Sequence, residues 1–236
     1  MAKGSGDSEF GLPIGFALPG WQSALRPPHT PMFGRLCRVE PIDVHLHGDD
    51  LFQAFAEDGD GRSWTYLPYG PFQDIEVFQR WMTETCLGAD PLFHVIVDAS
   101  NGRAVGVASY LRISPEIGVI EVGHIHFSQR MRKSPMGTEA MYLMMRRAFD
   151  ELGYRRYEWK CDALNGPSRS AAERLGMTYE GVFRQATIYK GRNRDTAWYS
   201  VLDREWPRLK TGFETWLQAD NFADDGTQVR ALGNLI

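Results

Sequence analysis

Two apolar runs in the middle of the chain restrict the fold more than anything else: RAVGVASYLRI (103–113) and GVIEVGHIHFS (118–128). The connection between them, containing Ser114-Pro115-Glu116, is too short for a crossover helix, so they are expected to form an antiparallel hairpin. A strong helical pattern, PMGTEAMYLMMRRAFDEL (135–152), follows almost at once. Upstream, GRLCRVEPI reads as a strand and DVHLHGDDLFQAFAED as a helix. A turn-rich aromatic loop comes next (58–72), then the amphipathic helix QDIEVFQRWMTETCLG and the buried strand LFHVIVD. Downstream come YRRYEWKCD as a strand, GPSRSAAERLG as a short helix ended by Gly176, and the strands TYEGVFRQATIYK and DTAWYSVL. The resulting order is strand, helix, helix, three strands, helix, strand, helix, two strands. That is a mixed α/β sheet with an antiparallel centre, which fits neither a closed barrel nor a Rossmann alternation.

Composition limits the remaining choices. With 236 residues, 43% of them hydrophobic and 24% charged, the chain can bury a sizeable core as an ordinary globular protein. A net charge of -4 gives no general attraction to nucleic acid. No stretch approaches a membrane span, and Met1–Phe10 lacks the apolar run of a signal peptide. Cys37, Cys86 and Cys161 are odd in number and form no C-x-x-C pair, so neither a disulfide framework nor a zinc ribbon is expected, and a reducing cytoplasm is the expected compartment. Residues 1–33 are Gly- and Pro-rich but include Phe16, Leu18 and Trp21, and read as an extended arm that packs. A single domain is expected over 34–206. A C-terminal helix and tail follow over 207–236, the helical pattern being interrupted near Pro207.

The segment Arg132-Lys133-Ser134-Pro135-Met136-Gly137-Thr138 lies between a strand and a strong helix, where free backbone N–H groups and the helix dipole make an anion site. An ordinary helix capped by Ser134 is the competing reading. The segment resembles the coenzyme-A signature of GNAT acetyltransferases, R/Q-x-x-G-x-G/A, with Arg132 first and Gly137 last. Lys133 and Pro135 stand where that family usually has glycine. Thr138-Glu139-Ala140 is similar to the continuation found in the RimJ/RimL-like branch. So is the block ALNGPSRSAAERLGMTYEG, in which Met177 replaces Phe. The matches run from about Glu121 to Asp203.

The resemblance implies the GNAT acyl-CoA N-acyltransferase fold, a single three-layer domain with a splayed central sheet. It also implies acetyl-CoA as co-substrate, no metal, and acetyl transfer to a primary amine on a protein N-terminus or a small molecule. An aminoglycoside- or polyamine-type acceptor is the alternative among enzymes. A coenzyme-binding module without catalysis is the alternative outside them, since Ala172 stands where many members carry a proton-donating Tyr. Neither nucleic acid nor membrane is an expected partner. The oligomeric state stays open, a homodimer among the options.

By the same resemblance, backbone groups of Ile125, His126 and Phe127 on the fourth strand hold the pantetheine and polarise the thioester. Arg132, Lys133, Met136, Gly137 and Thr138 meet the phosphates. Asn165 bonds coenzyme amides or simply caps its helix, and Ser168 relays a proton or is a polar residue of the first turn. Strict alternation puts Glu121, Gly123, Ile125 and Phe127 on one face of the strand, and Val122, His124, His126 and Ser128 on the other. Glu121 is placed ahead of His124 as the base that takes the amine proton. A metal between His124 and His126 is set aside for want of a third ligand. Trp64, Tyr66 and Tyr69, with Phe72, line the acceptor pocket or pin the loop to the core, and Glu57, Asp58 and Asp60 favour a cationic acceptor or form a solvated turn.

Overall fold

The computed structural model describes residues 6–132, 134–223 and 225–236. The predicted hairpin is there: β6 (Ala104–Ser114) and β7 (Val119–Phe127) pair antiparallel across a single 3₁₀ turn at Pro115–Ile117, which Gly118 ends with φ +66°. Around it lie β3 (Met32–Phe33), β4 (Cys37–Pro41), β5 (Leu92–Asp98), β8 (Arg156–Asp162), β9 (Thr178–Tyr189) and β10 (Arg192–Leu202). These eight form one sheet in the order β3-β4-β5-β6-β7-β8-β10-β9. A separate small hairpin, β1 (Gly6–Asp7) with β2 (Pro13–Ile14), lies near the start of the chain.

Helices cover both faces. On one side α1 (Val44–Ala56) and α2 (Ile75–Thr85) start at Asp43 and Asp74, whose carboxylates accept the free N–H groups of the first turn. They bury Leu51, Phe55, Phe78 and Met82 against Val95, Val97 and Val107 of the sheet, with Trp64 of the intervening loop between them. On the other side α3 (Pro135–Arg146), which runs on into a π-helical turn at Arg147–Glu151, packs with α5 (Trp206–Trp216) on the larger core. That core includes Tyr110, Ile120, Val122, Leu143, Met144, Tyr157, Tyr199 and Phe213. The short α4 (Gly166–Arg174) contributes Ala172 to it. The expected break at Pro207 is a helix start instead, because proline in the first turn gives up an N–H the helix does not use.

Residues 21–33 are fastened by backbone and side-chain bonds. Ala24 and Leu25 donate to the carbonyls of Pro115 and Leu152, the Trp21 indole donates to Glu116, and the buried Arg147 guanidinium holds the carbonyls of Thr30 and Pro31. Phe10, Leu12 and Phe16 stay exposed.

Two irregularities shape the sheet's centre. The parallel pairing of β7 with β8 runs only from Val119↔Arg156 to Val122↔Trp159, so the remainder of β7 has no strand partner on that side among the described residues. The ladder to β6 also skips, from Ser109↔Gly123 to Val107↔His126, and His124 takes a left-handed φ of +50°. This is a β-bulge, and an extra residue reverses the facing of everything after it.

Candidate active site

The bulge overturns the strict alternation expected for β7. Before it, Ile120 and Val122 face the larger core and Glu121 faces away. After it, Ile125 and Phe127 pack towards the larger core, and His124 and His126 turn to the side of α1 and α2. Glu121 and His124 therefore share a face that the sequence period assigns to opposite ones.

That face looks into a cavity of about 560 Å³ between the separated ends of β7 and β8, the β9–β10 hairpin and the loop after α1. Tyr66, Glu121, His124, Ile125, Asn165 and Ser168, six of the residues singled out from the sequence, line it. Ser168 Oγ accepts the indole N–H of Trp159 at 3.0 Å. Asn165 caps α4, its side-chain oxygen accepting the N–H of Ser168 at 3.1 Å. The Tyr66 hydroxyl donates across the cavity mouth to the carbonyl of Leu164.

Glu121 is held by two cations. Its Oε2 lies 2.7 Å from Arg112 Nη1 and 2.8 Å from Lys160 Nζ. Burial pushes the carboxyl up, and the pull of Lys160 and then Arg112 opposes it. Oε1 has no hydrogen-bond partner among the described residues. Lys160 also bonds Glu158 at 2.7 Å and sits 3.8 Å above the Trp198 ring. Glu158 in turn takes Arg156, which pairs with Glu180. Arg112 reaches Glu121 from a second bulge, at φ +48°, where its own N–H and that of Ile113 are fixed by the Asp90 carboxylate.

His124 is lowered to about 4, first by burial and then by the charges of Arg112 and Arg194, so it is a neutral imidazole at pH 7. Its Nδ1 lies 2.9 Å from the Tyr69 hydroxyl. His126 lies deeper, between Phe55 and Trp64, with Nε2 2.9 Å from Ser63 Oγ, and burial lowers it to about 3. Trp64 and Tyr69 belong with Phe72 and Trp81 to an aromatic cluster that fixes the loop. Neither lines the cavity; Tyr66 alone of the three acceptor candidates does. The acidic turn is likewise occupied: Glu57 pairs with Arg130, Asp58 with Ser63 and Arg132, and Asp60 with Arg62.

The other candidates gather where β7 meets α3. A Cβ on Gly137 would stand 3.1 Å from the Phe127 ring, so the glycine is what lets the helix approach the strand end. Ser134 precedes the helix, and the first-turn donors left free among the described residues are Met136 and Gly137. Thr138 N–H is expected to join the intrahelical ladder as the fourth helical position, and the Thr138 hydroxyl accepts Arg174 at 2.9 Å, so its side chain is committed inside the fold. Arg132 bonds Asp58 weakly at 3.4 Å and is part-exposed. Lys133 lies outside the described residues.

Sequence reasoning missed Arg112, Lys160, Arg194 and Trp198. The period-2 text of β8, Y-E-W-K-C-D, carried a signal for Lys160, since it puts Glu158, Lys160 and Asp162 on one face and Tyr157, Trp159 and Cys161 on the other. Arg112 had no such signal, because its direction depends on a bulge.

Comparison with known proteins agrees with this architecture. A family model described as an acetyltransferase (GNAT) domain matches residues 39–178. A GCN5-related N-acetyltransferase from Brucella melitensis superposes with a TM-score of 0.90 at 42% identity, over 92% of this chain and 99% of that one. A structure described as a probable acetyltransferase (GNAT family) from Chromobacterium violaceum gives a TM-score of 0.77 at 41% identity, over 83% of this chain and 98% of that one. The uncharacterized N-acetyltransferase p20 of Bacillus licheniformis is 26% identical over 145 residues, which is 60% of this chain and 80% of that one. The chain belongs to the GNAT family of acetyltransferases.

Proposed function

We propose that the protein transfers an acetyl group from acetyl-CoA to a primary amine by direct attack in a ternary complex, on a protein N-terminus or a small molecule. The observation that carries this is the open side of β7. Beyond Val122 the strand has no strand partner on the β8 side among the described residues, and it runs beside a cavity whose wall presents Glu121. Backbone groups of Ile125, His126 and Phe127 hold the pantetheine in this reading and meet the oxyanion that develops at the thioester carbonyl. Met136 and Gly137, with the charges of Arg132 and Lys133, serve the phosphates. Glu121 accepts the amine proton at Oε1, directly or through water, while Arg112 and Lys160 hold Oε2. His124, at about 4, is a weaker base at neutral pH and holds its place through Tyr69. Ser168, whose oxygen already accepts from Trp159, keeps its own proton for the departing thiolate. The RimJ/RimL-like placement rests on Thr138-Glu139-Ala140 and the block around Asn165.

Ala172, fully buried where many members have Tyr, favours a second reading, a coenzyme-binding module without turnover. One experiment separates the two: acetyl-CoA binding by thermal shift, run beside thiol release with a panel of amines. Under the proposal acetyl-CoA raises the Tm, and Glu121→Gln keeps that shift while losing about 10²–10⁴-fold in kcat, most where the acceptor amine is protonated. Binding without turnover in the wild type establishes the second reading. Full turnover in Glu121→Gln, with loss in His124→Gln, moves the base to His124.

A further inference from the structure

The cavity's charges do not cancel, and the cation left over is Arg194. Three cations line the cavity, Arg112, Lys160 and Arg194, against two carboxylates, Glu121 and Asp162. Arg112 and Lys160 are both spent on Glu121. Asp162 is satisfied without a cation, one oxygen accepting Leu164 N–H and the other the Tyr189 hydroxyl, each at 2.8 Å. Arg194 forms no ion pair among the described residues, and its Nε is buried with no hydrogen-bond partner. A buried guanidinium N–H without an acceptor is costly, and a guanidinium presents a fork shaped for a carboxylate. The side chain is well placed for one. Thr196 and Trp198 follow it on the same cavity-lining face of β10, while Ala197, Tyr199 and Val201 face the core. Its ring neighbour is Tyr189, 5.9 Å away, and its charge is felt at His124 and Cys161.

Resting on the acetyl-transfer reading, we propose that Arg194 docks a carboxylate of the acceptor, so that the amine acetylated here is one that also carries a carboxylate: a free amino acid, or a peptide with an acidic first residue. A polycationic acceptor would find the opposite of what it needs. The acidic turn at Glu57, Asp58 and Asp60 is consumed by Arg130, Arg132 and Arg62, and among the described residues the carboxylate oxygen left open on the cavity wall is the Oε1 of Glu121 that receives the proton.

The test uses matched acceptors on the full chain: free amino acids against their carboxamides, and peptides beginning with Asp against the same peptides beginning with Asn. Wild type should favour the carboxylate member of one set by about 10- to 100-fold in kcat/KM, the worth of a hydrogen bond to a charged group. The set that shows the preference tells the free amino acid from the acidic peptide. Arg194→Gln should reduce the preference to within about threefold while leaving the carboxamide's kcat/KM and the acetyl-CoA affinity unchanged, and Arg194→Lys should keep part of it. Calorimetry of the same pairs on the CoA-bound protein reads the preference without turnover, so a failure of catalysis would not hide it. Equal use of both members by wild type overturns the proposal. So does an Arg194→Gln variant that loses acetyl-CoA affinity instead, which would assign Arg194 to the coenzyme.

Discussion

The two faces of β7, β8 and β10 share one set of backbone hydrogen bonds and differ in almost everything else. Towards α3 and α5 the strands present Ile120, Val122, Tyr157, Trp159, Ala197, Tyr199 and Val201, a surface that gains stability simply by leaving water. On the opposite face they present Glu121, Glu158, Lys160, Thr196, Trp198 and Ser200, of which Glu121, Glu158, Thr196 and Ser200 are buried and Lys160 ties Glu121, Glu158 and the Trp198 ring together. On the first face each residue contributes roughly alone. On the second, Lys160 is worth what it is only because Glu121 and Glu158 stand on either side of it, and an ionic arrangement of this kind serves position more than stability. Function sits on the face whose energy depends on protonation and pairing.

The largest expected effect follows from acid. His94, in the apolar layer against Tyr110, is lowered by burial to about 4, and His124 and His126 on the other side to about 4 and about 3. Each binds its proton near 6.5 when unfolded but resists it when folded, so the unfolded chain holds more protons between those limits. Stability is therefore full above about pH 6.5 and falls as pH drops towards 4, by up to about 3 kcal/mol per histidine. Urea unfolding at pH 7, 5.5 and 4.5 measures it, with His94→Gln and His126→Gln each expected to flatten the curve. If His94→Gln leaves the slope untouched, acid sensitivity belongs to the face of His124 and His126 alone and the two faces differ more sharply still.

Next comes a matched pair across the sheet. Lys160→Met removes the ammonium between two buried carboxylates, leaving Glu121 to Arg112 and Glu158 to Arg156, and should cost about 1–3 kcal/mol at neutral pH for the charged hydrogen bonds lost. Lowering the pH lets Glu121 take a proton, so the deficit relative to wild type should shrink at pH 5. Ile120→Ala, fully buried on the opposite face of the sheet in the neighbouring strand β7, should cost about 2–5 kcal/mol with no such pH dependence, and the folded fraction should keep its kcat. Parallel pH curves for the two variants would mean that the ionic face behaves as ordinary core.

Much of this contrast was legible in the sequence. The alternation of Tyr157, Trp159 and Cys161 with Glu158, Lys160 and Asp162 sorts β8 correctly, and the hairpin of β6 and β7 follows from the short link at Ser114. The failure at β7 has one cause. A bulge changes the period by one residue, and nothing in GHIHF distinguishes a left-handed His124 from an ordinary strand residue, so His124 and His126 were assigned to the wrong face relative to Glu121. Arg112 and Arg194 escaped for a related reason. Each lies beside a register shift, Arg112 in β6 and Arg194 opposite the bulge at Gln185 in β9, and which way a long cation points there is settled by tertiary contacts such as Asp90 and Asp195. The phosphate segment was legible as a helix start but not in its detail, since nothing local says that the Thr138 hydroxyl belongs to Arg174.

The smallest expected effect concerns Asn165, which stands where the two faces meet: it caps α4, whose Ala172 belongs to the core, and it lines the cavity. Two roles are superposed on one side chain, and they use different atoms. The cap needs only the side-chain oxygen that accepts Ser168 N–H, whereas a bond to a coenzyme carbonyl needs the amide N–H₂ as donor. Asn165→Asp keeps the first and deletes the second, because aspartate caps as well as asparagine and its charge suits a helix N-terminus. Asn165→Ala deletes both. Stability should thus be within a few tenths of a kcal/mol of wild type in Asn165→Asp and lower by about 1 kcal/mol in Asn165→Ala. If the amide serves the coenzyme, both variants should weaken acetyl-CoA by a similar factor, about 3- to 10-fold for one hydrogen bond. Thermal melts and calorimetry on the two variants read the two roles separately. Wild-type affinity in Asn165→Asp would leave Asn165 as a cap, belonging to the structural side of the sheet despite its view of the cavity.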